Sequence, residues 1–205
     1  MVSLMKTKNI LFIVEGKNDE PRFIEQLLSK CYPASTFKIY SYEANLHMLA
    51  SRLENDYFDF EEDELDILLF LKSYETKHKK IFDLKYTDVF LIFDFEPQHP
   101  DLHFDTIQKM IRYFNQSDER GKLFINYPMM QSYRHLKALP DNVFLQTRLY
   151  KQDFKHYKEI VSNESFNNDI STYDYTTFVS LAFHHLTKLL FIQNKENRAP
   201  TMDDY

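Results

Sequence analysis

The stretch that decides the fold is ILFIVEGKNDE, residues 10–20. Its first five residues are all apolar, which is typical of a buried strand. The residues that follow it place apolar side chains at helical spacing, which is typical of a helix with one buried face. Glu15 and Gly16 therefore lie at the carboxyl end of a predicted strand, and this edge of an open α/β sheet is where ligands bind.

A second stretch of the same kind is VFLIFDFE, residues 89–96. It predicts another buried strand, and this one ends in two carboxylates, Asp94 and Glu96. Side chains at positions i and i+2 of an extended chain point the same way, and Glu15 joins them if the two strands are neighbours.

Three crowded carboxylates repel one another unless a divalent cation or shared protons intervene. Mg²⁺ takes few protein carboxylates and completes its shell with water and phosphate oxygens. The pattern therefore predicts a hard-metal site formed by Glu15, Asp94 and Glu96. The spacing alone leaves one alternative open, which is that these acids only cap helices or face solvent.

Strands alternate with helices along the chain, which predicts an α/β fold with a mainly parallel sheet and helices on both faces. The strands are expected at 9–15, 37–40, 88–94 and 123–125, with a short fifth one at 143–145. The helices are expected at 19–31, 44–54, 103–115, 150–162 and 174–193, with a further helix starting at Pro128 and a long helical pattern within 55–82.

The length of 205 residues fits one generous domain with a helical addition. We expect an α/β core at 1–145, a helical insertion in it at about 44–82, and a C-terminal helical extension at 146–205 packed on the core. The polar tail after Asn194 is expected to fray.

The composition excludes several classes of function. Only two glycines occur, so a glycine-rich phosphate loop is excluded. The net charge of −6 argues against nucleic-acid binding by bulk positive charge, which leaves a local basic patch or a bound cation. The single cysteine, Cys31, forms no internal disulfide and indicates a cytoplasmic chain. The apolar runs are too short to span a membrane, and no signal peptide is evident.

The pattern Glu15-Gly16-x-x-Asp19 after one strand and Asp94-x-Glu96 after another resembles the TOPRIM domain. That family includes topoisomerases, bacterial primases, small ribonucleases and phage-defence nucleases of the overcoming-lysogenisation and abortive-infection groups. The resemblance covers about residues 9–145. One departure is that Glu96 stands where the family usually carries aspartate, which keeps the charge but moves the ligand by one methylene.

The resemblance implies a role for each of these residues. Glu15 would be the general acid or base, and Asp94 and Glu96 would hold Mg²⁺, or Mn²⁺ in its place, with Glu15 as a third ligand. Gly16, Lys17 and Asp19 would support the loop that carries Glu15, and Asp19 would cap the helix that follows.

A later segment, INYPMMQS at 125–132, resembles a strand–Asn–Pro–helix signature of the RloB-like, abortive-infection members. In those proteins an acidic residue commonly follows the proline within the helix. This chain carries the neutral Gln131 there, which weakens any contribution of the position to metal binding.

Taken together, the resemblance implies Mg²⁺-dependent phosphodiester chemistry on DNA or RNA, most simply a nuclease in phage defence or nucleic-acid processing. A partner ATPase or self-association would complete such a system. The alternative is a non-catalytic TOPRIM-like binding or regulatory module that works with a partner protein. Gln131 and the acidic charge favour the alternative, whereas the intact acidic set opposes it.

The histidines predict no clear metal site. His99 and His103 flank Pro100, which makes a shared helical face improbable, so we interpret them as loop residues. A position of His99 near a metal-bound phosphate stays open as the alternative. His184 and His185 are adjacent in a predicted helix and diverge.

Basic residues near the predicted site serve either solubility or phosphate contact. They are Lys17, Arg22, Arg134, His135 and Lys137.

Overall fold

The computed structural model of the chain describes residues 8–33 and 35–193. The predicted fraying after Asn194 therefore lies outside the described residues. Within them the chain forms an α/β fold with a four-stranded, all-parallel sheet and six α-helices. The predicted α/β class and the parallel sheet are confirmed, whereas the TOPRIM-like fold and the helices on both faces of the sheet stay predictions.

The strands lie in the order β2-β1-β3-β4. Their bounds are β1 Asn9–Val14, β2 Thr36–Ser41, β3 Asp88–Asp94 and β4 Lys122–Asn126. The helices are α1 Asp19–Cys31, α2 Leu46–Asn55, α3 Ile67–Tyr74, α4 Phe104–Tyr113, α5 Tyr157–Glu164 and α6 Tyr175–Ile192. Short 3₁₀ turns complete the described chain at Lys79–Asp83, Met130–Arg134, Phe144–Gln146, Lys151–His156 and Ile170–Thr172.

The register of the central strands positions the candidate site. β1 pairs with β3 up to Val14 and Ile92, and β3 pairs with β4 up to Asp94 and Asn126. Because all the strands run the same way, their carboxyl ends lie at one edge of the sheet. The two strands that carry the acidic residues, β1 and β3, are therefore adjacent, as predicted.

The chain divides into two compact units. Within the described residues, the first comprises 8–21, 32–33 and 35–129, and the second comprises 22–31 and 130–193. The core of the first unit packs sheet residues against α2, α3 and α4, and its members include Leu11, Ile13, Leu91, Phe93, Leu49, Leu71 and Met110. The core of the second unit is Leu136, Phe144, Ile170, Tyr173, Phe178 and Leu181. The predicted boundary at 145/146 concerns the extent of a family domain and stays a prediction.

The long helical pattern predicted within 55–82 is wrong in its extent. Asp66 caps the start of α3, since its carboxylate accepts from the backbone of Leu68 and Leu69. The helix ends at Tyr74 because the carboxylate of Glu75 accepts from the backbone N–H of Lys77 at 2.6 Å. Such a local side-chain bond offers the backbone an alternative to helix.

Two other predicted elements are also absent from the described residues. The segment after Pro128 forms only the 3₁₀ turn Met130–Arg134, and the Pro128 carbonyl accepts from the N–H of Glu96 at 3.0 Å. The fifth strand expected at 143–145 is the turn Phe144–Gln146, because the Asp141 carboxylate accepts from Val143 N and starts a turn. Likewise, the first half of the helix expected at 150–162 is a 3₁₀ turn.

None of the helices in the described residues combines the length and the apolar character that a membrane crossing requires.

Candidate functional site

Three neighbouring strand ends are joined by hydrogen bonds at the carboxyl edge of the sheet. Glu15 follows β1, and its Oε2 accepts from the backbone N–H of Asp94, the last residue of β3, at 3.2 Å. Asp94 is buried, and its Oδ1 accepts from the side-chain amide of Asn126, the last residue of β4, at 3.1 Å. The structure thus brings Glu15 and Asp94 together, and it adds Asn126, which sequence reasoning noticed only as part of a motif.

The environment of Glu15 raises its pKa to about 8. Burial is the largest cause, and the nearby charges of Asp94, Glu96 and Glu20 add to it, while the hydrogen bond from Asp94 N–H opposes the shift. A carboxyl group with such a pKa keeps its proton at neutral pH. Acid and base catalysts are commonly tuned in this way.

Glu96 does not reach this group by the route that the sequence predicted. β3 ends at Asp94, and Glu96 has a left-handed backbone with φ 46°, so the expected i, i+2 alignment in extended chain is wrong. A tight turn holds the residue there, since its N–H donates to the Pro128 carbonyl and its own carbonyl accepts from His99 N–H at 2.8 Å. Left-handed backbone is costly for a residue with a Cβ and tends to occur at functional sites. The charge of Glu96 still acts on Glu15.

Glu20 is a fourth carboxylate, and sequence reasoning did not assign it to the site. It lies in the first turn of α1 and is only 7% exposed. Its charge contributes to the raised pKa of Glu15. A signal was present, because Glu20 precedes the apolar Ile24 and Leu28 at intervals of one helical turn, and a carboxylate on an apolar helix face is unusual.

Gly16 matters for the space that it leaves. Its place directly after a strand suggests a sharp bend or a positive φ, but among the described residues the glycine with positive φ is Gly121, at 85°. A Cβ added at Gly16 would lie 2.5 Å from Oε2 of Glu20 and 3.2 Å from its Cδ. The missing side chain therefore makes room for the Glu20 carboxylate beside the loop.

Replacing Gly16 with alanine should destabilise the protein by at most about 1 kcal/mol, because the added Cβ meets only the end of the flexible Glu20 side chain, whose buried carboxylate must move. In a Glu20→Ala background the same change should cost much less, which a double-mutant cycle measured by urea unfolding will detect. Gly121→Ala serves as the control, since its cost arises from positive φ and should be the same in both backgrounds. Equal costs of Gly16→Ala with and without Glu20 would contradict this role.

The remaining supporting residues lie at the surface. Lys17 pairs with Glu43 at 2.7 Å. Asp19 is exposed and is the first residue of α1. Their predicted roles in supporting the loop stay predictions.

Two stacked histidines lie behind the turn that carries Glu96. His47, in α2, is 1% exposed, and its Nε2–H donates to the carbonyl of Phe95 at 2.9 Å. Its ring stacks on that of His99 with 4.3 Å between ring centroids. The pKa of His47 is lowered, chiefly by burial. His47 therefore acts as a neutral donor that fixes the peptide joining Phe95 to Glu96, and no sequence pattern indicated this role.

Replacing His47 with phenylalanine keeps a ring in place but leaves the Phe95 carbonyl without its donor, so it should cost about 1–3 kcal/mol at pH 7. Because the folded pKa of His47 is depressed, wild-type stability is lost as the pH falls through the ordinary histidine range. The variant should lose less stability than the wild type between pH 7 and pH 5. Urea unfolding of both proteins at the two pH values measures this difference, and equal losses would contradict a neutral buried His47.

The other histidines have separate partners. His103 pairs with Glu54 at 2.9 Å and takes no part in the stacking of His99 on His47. His184 contacts the backbone of Ser180 and Asp141, whereas His185 contacts the carbonyl of Tyr133. The two adjacent side chains thus diverge, as predicted, and the absence of a shared metal ion stays a prediction.

The basic residues of the second unit are engaged within that unit. Arg134 donates to the carbonyl of Asn168 at 3.1 Å. Lys137 and His135 both reach the carboxylate of Glu164, at 3.4 Å and 3.2 Å. Arg22 belongs to the same unit. Phosphate contact by these residues stays a prediction.

The donor set at the sheet edge suits a hard cation, although it is not pre-assembled around one point. Among the described residues, no group of three or more His, Cys, Asp or Glu side chains is arranged to hold a metal ion. One reason is that Glu15 and Asp94 direct oxygens at protein donors, Asp94 N–H and the Asn126 amide. Mg²⁺ needs only one or two protein carboxylates when phosphate and water complete its shell, so the residues fit this ion.

Comparison of the chain with protein-family models, curated proteins and solved structures gives no match.

Proposed function

We propose that the chain is a TOPRIM-like, Mg²⁺-dependent nuclease that cleaves phosphodiester bonds in DNA or RNA, in the cytoplasm, as part of phage defence or nucleic-acid processing. The observation that carries the proposal is that Glu15 and Asp94 are joined at the ends of adjacent parallel strands, where the Glu15 carboxylate accepts from the backbone N–H of Asp94 and the charge of Asp94 acts on Glu15. The raised pKa of Glu15, near 8, supports a proton-transfer role.

The roles follow from the environment of each side chain. Asp94 is buried and has the shorter side chain, so it would be the best-fixed ligand for Mg²⁺, and Glu96 and Glu15 would supply further oxygens. The ion would polarise the phosphodiester and stabilise the charge that develops on it. Asn126 orients Asp94 through its amide, and Glu20 adds negative charge next to Glu15.

Glu15 holds a proton at neutral pH when no cation is near, because burial and three other carboxylates disfavour its charge. It can give that proton to the leaving oxygen of the substrate. A nearby cation would favour the ionised form, in which the same group can take a proton from the attacking water. Glu15 therefore serves as the general acid or base.

The direct test is incubation of the purified protein with single-stranded DNA, duplex DNA and RNA in Mg²⁺, Mn²⁺ or EDTA. We expect cleavage of at least one substrate with either metal ion and none in EDTA. The Asp94→Asn variant serves as the matched protein control. Absence of cleavage of every substrate in both metal ions would refute the nuclease proposal.

A second candidate function is a non-catalytic binding or regulatory module with a partner protein, such as an ATPase, or with a second copy of the chain. One observation favours it: the oxygens of Glu15 and Asp94 already accept hydrogen bonds from the protein itself. In that case Mg²⁺ should leave the melting temperature unchanged, whereas the nuclease proposal predicts that Mg²⁺ raises it.

A further inference from the structure

A cavity of about 730 Å³ lies in the first unit at the carboxyl end of β2. It is lined by residues 39–41, by Lys17 and Glu43, and by residues 76–81. Four of the lining side chains are lysines, namely Lys17, Lys77, Lys79 and Lys80, against the single carboxylate of Glu43. The chain as a whole has a net charge of −6. We call this cavity the lysine pocket; its local charge is positive, opposite in sign to the net charge of the chain.

Most of this positive charge is not neutralised by the protein. Lys17 pairs with Glu43, but Lys77, Lys79 and Lys80 form no ion pair within the described part of the chain. Like charges that line one concavity repel one another, and a bound anion relieves that repulsion. The pocket therefore favours a ligand with several negative charges.

The turn that presents the lysines is held by its own hydrogen bonds. The carboxylate of Glu75 accepts from the backbone N–H of Lys77 at 2.6 Å and of His78 at 3.1 Å, and the hydroxyl of Tyr40 donates to it. These bonds, that of Tyr40 first, lower the pKa of Glu75 to about 2. The Glu75 carboxylate thus stabilises the turn through these hydrogen bonds.

The pocket lies next to the candidate site. Lys17 follows Glu15 by two positions. On the other side, the backbone N–H of Glu43 donates to the carbonyl of Glu15 at 3.2 Å, and Val14 pairs with Ser41, the last residue of β2. A ligand in the pocket therefore sits along the same edge of the sheet as the carboxylates.

We propose that the lysine pocket binds the phosphate groups of a nucleic acid strand. The bound strand then lies with its scissile phosphodiester bond at the carboxylates of the candidate site. The proposal rests on the nuclease function proposed above and assigns the substrate contact to residues 77–80. Lysines act as point charges suited to phosphates, and the volume is in the range of pockets that enclose ligands of nucleotide size. A free nucleotide carries the same chemistry and is the competing occupant.

The test is fluorescence anisotropy of labelled 20-nucleotide DNA and RNA strands in EDTA, at several KCl concentrations. The variant is Lys77→Ala/Lys79→Ala/Lys80→Ala. The control is Lys151→Ala/Lys155→Ala/Lys158→Ala, which makes the same change of net charge at exposed lysines of the second unit. Thermal melts of both triple variants establish that they are folded.

We expect the pocket variant to bind at least about 10-fold more weakly, with a salt dependence shallower by about 2 in the log–log slope, as expected for three lost phosphate contacts. The control should stay within about 2-fold of the wild type. Equal weakening of both variants, or no weakening of the pocket variant, would overturn the proposal. So would binding of ATP that depends on the three lysines while strand binding does not.

These outcomes separate the pocket from the nuclease. The anisotropy is measured in EDTA and does not depend on cleavage. If the pocket variant loses strand binding and the wild type cleaves nothing in Mg²⁺ or Mn²⁺, the proposed strand binding by the lysine pocket is supported and the nuclease function is refuted. If the wild type cleaves and the pocket variant binds the strands normally, the nuclease function is supported and the proposed strand binding by the lysine pocket is refuted.

Discussion

Replacement of Asp94 by asparagine should lower the proposed Mg²⁺-dependent cleavage by about 100-fold or more, because the variant would lose the charge that is proposed to hold the ion beside the phosphate. The fold should be retained. The amide oxygen of the new residue can still accept from Asn126, and one of the charges that disfavour ionised Glu15 is removed. The melting temperature without metal should therefore stay the same or rise.

Initial cleavage rates and thermal melts with and without Mg²⁺ measure both parts of this prediction. Asp88→Asn is the matched control, because Asp88 is a buried aspartate at the opposite end of the same strand. Although burial raises its pKa, hydrogen bonds from Ser117, Thr87 and Lys8 hold that pKa below its ordinary value. The control should therefore lose stability but keep cleavage and the response to Mg²⁺.

The opposite pattern would remove Asp94 from the catalytic assignment. An Asp94→Asn variant with a lower melting temperature and an unchanged response to Mg²⁺ would show that the side chain only supports the backbone. The binding-module function would then be favoured.

Replacement of Glu15 by glutamine should stabilise the metal-free protein at high pH and abolish the proposed cleavage. The folded pKa of Glu15, about 8, lies above the ordinary value of 4.5. Between these two values the folded state binds more protons than the unfolded state, so the free energy of unfolding of the wild type falls as the pH rises. Glutamine removes this loss and keeps an acceptor for Asp94 N–H.

The stability gain from glutamine should be near zero at pH 4.5, grow as the pH rises and level off above pH 8. Its size should be about 2 kcal/mol once solvent screening of a partly exposed group is allowed for. Urea unfolding in EDTA at pH 5, 7 and 9 measures it. A gain that does not change with pH would contradict the raised pKa.

Glu75→Gln provides a control of opposite sign. Hydrogen bonds from Tyr40 and the backbone lower the pKa of Glu75 to about 2, so its contribution to stability is present above the ordinary pKa and lost in strong acid. Glutamine at this position should therefore destabilise the protein at pH 7, where glutamine at position 15 stabilises it.

The strands and most helices could be predicted because their signals are local. The runs at 10–14 and 89–93 are apolar without interruption, as strands buried on both faces require, and α1 and β3 begin and end where the sequence indicated. The failures at 143–145 and after Pro128 involve short apolar segments, which periodicity cannot assign. There, turns set by Asp141 and by the carbonyl of Pro128 determined the backbone.

The site could be predicted only in part, for a related reason. Glu15 and Asp94 are at strand ends, so strand prediction alone locates them. The contributions of Glu20 and His47 depend on which helix face is buried and on what it meets, and these are tertiary facts. The left-handed backbone of Glu96 depends on a hydrogen bond to Pro128, more than thirty positions later, so no window of local sequence contains its cause.

The strand order also has a consequence for synthesis of the chain. β1 is a central strand that starts at Asn9, and β3 is one of its two neighbours. Thr87, which directly precedes β3, follows Asn9 by 78 positions. On the ribosome, β1 can pair with β2 early, but its other edge must wait until β3 has emerged. Asn126, which binds Asp94, emerges later still. A nascent chain that has not yet exposed Asn126 therefore carries Glu15 without the partners that complete the candidate site.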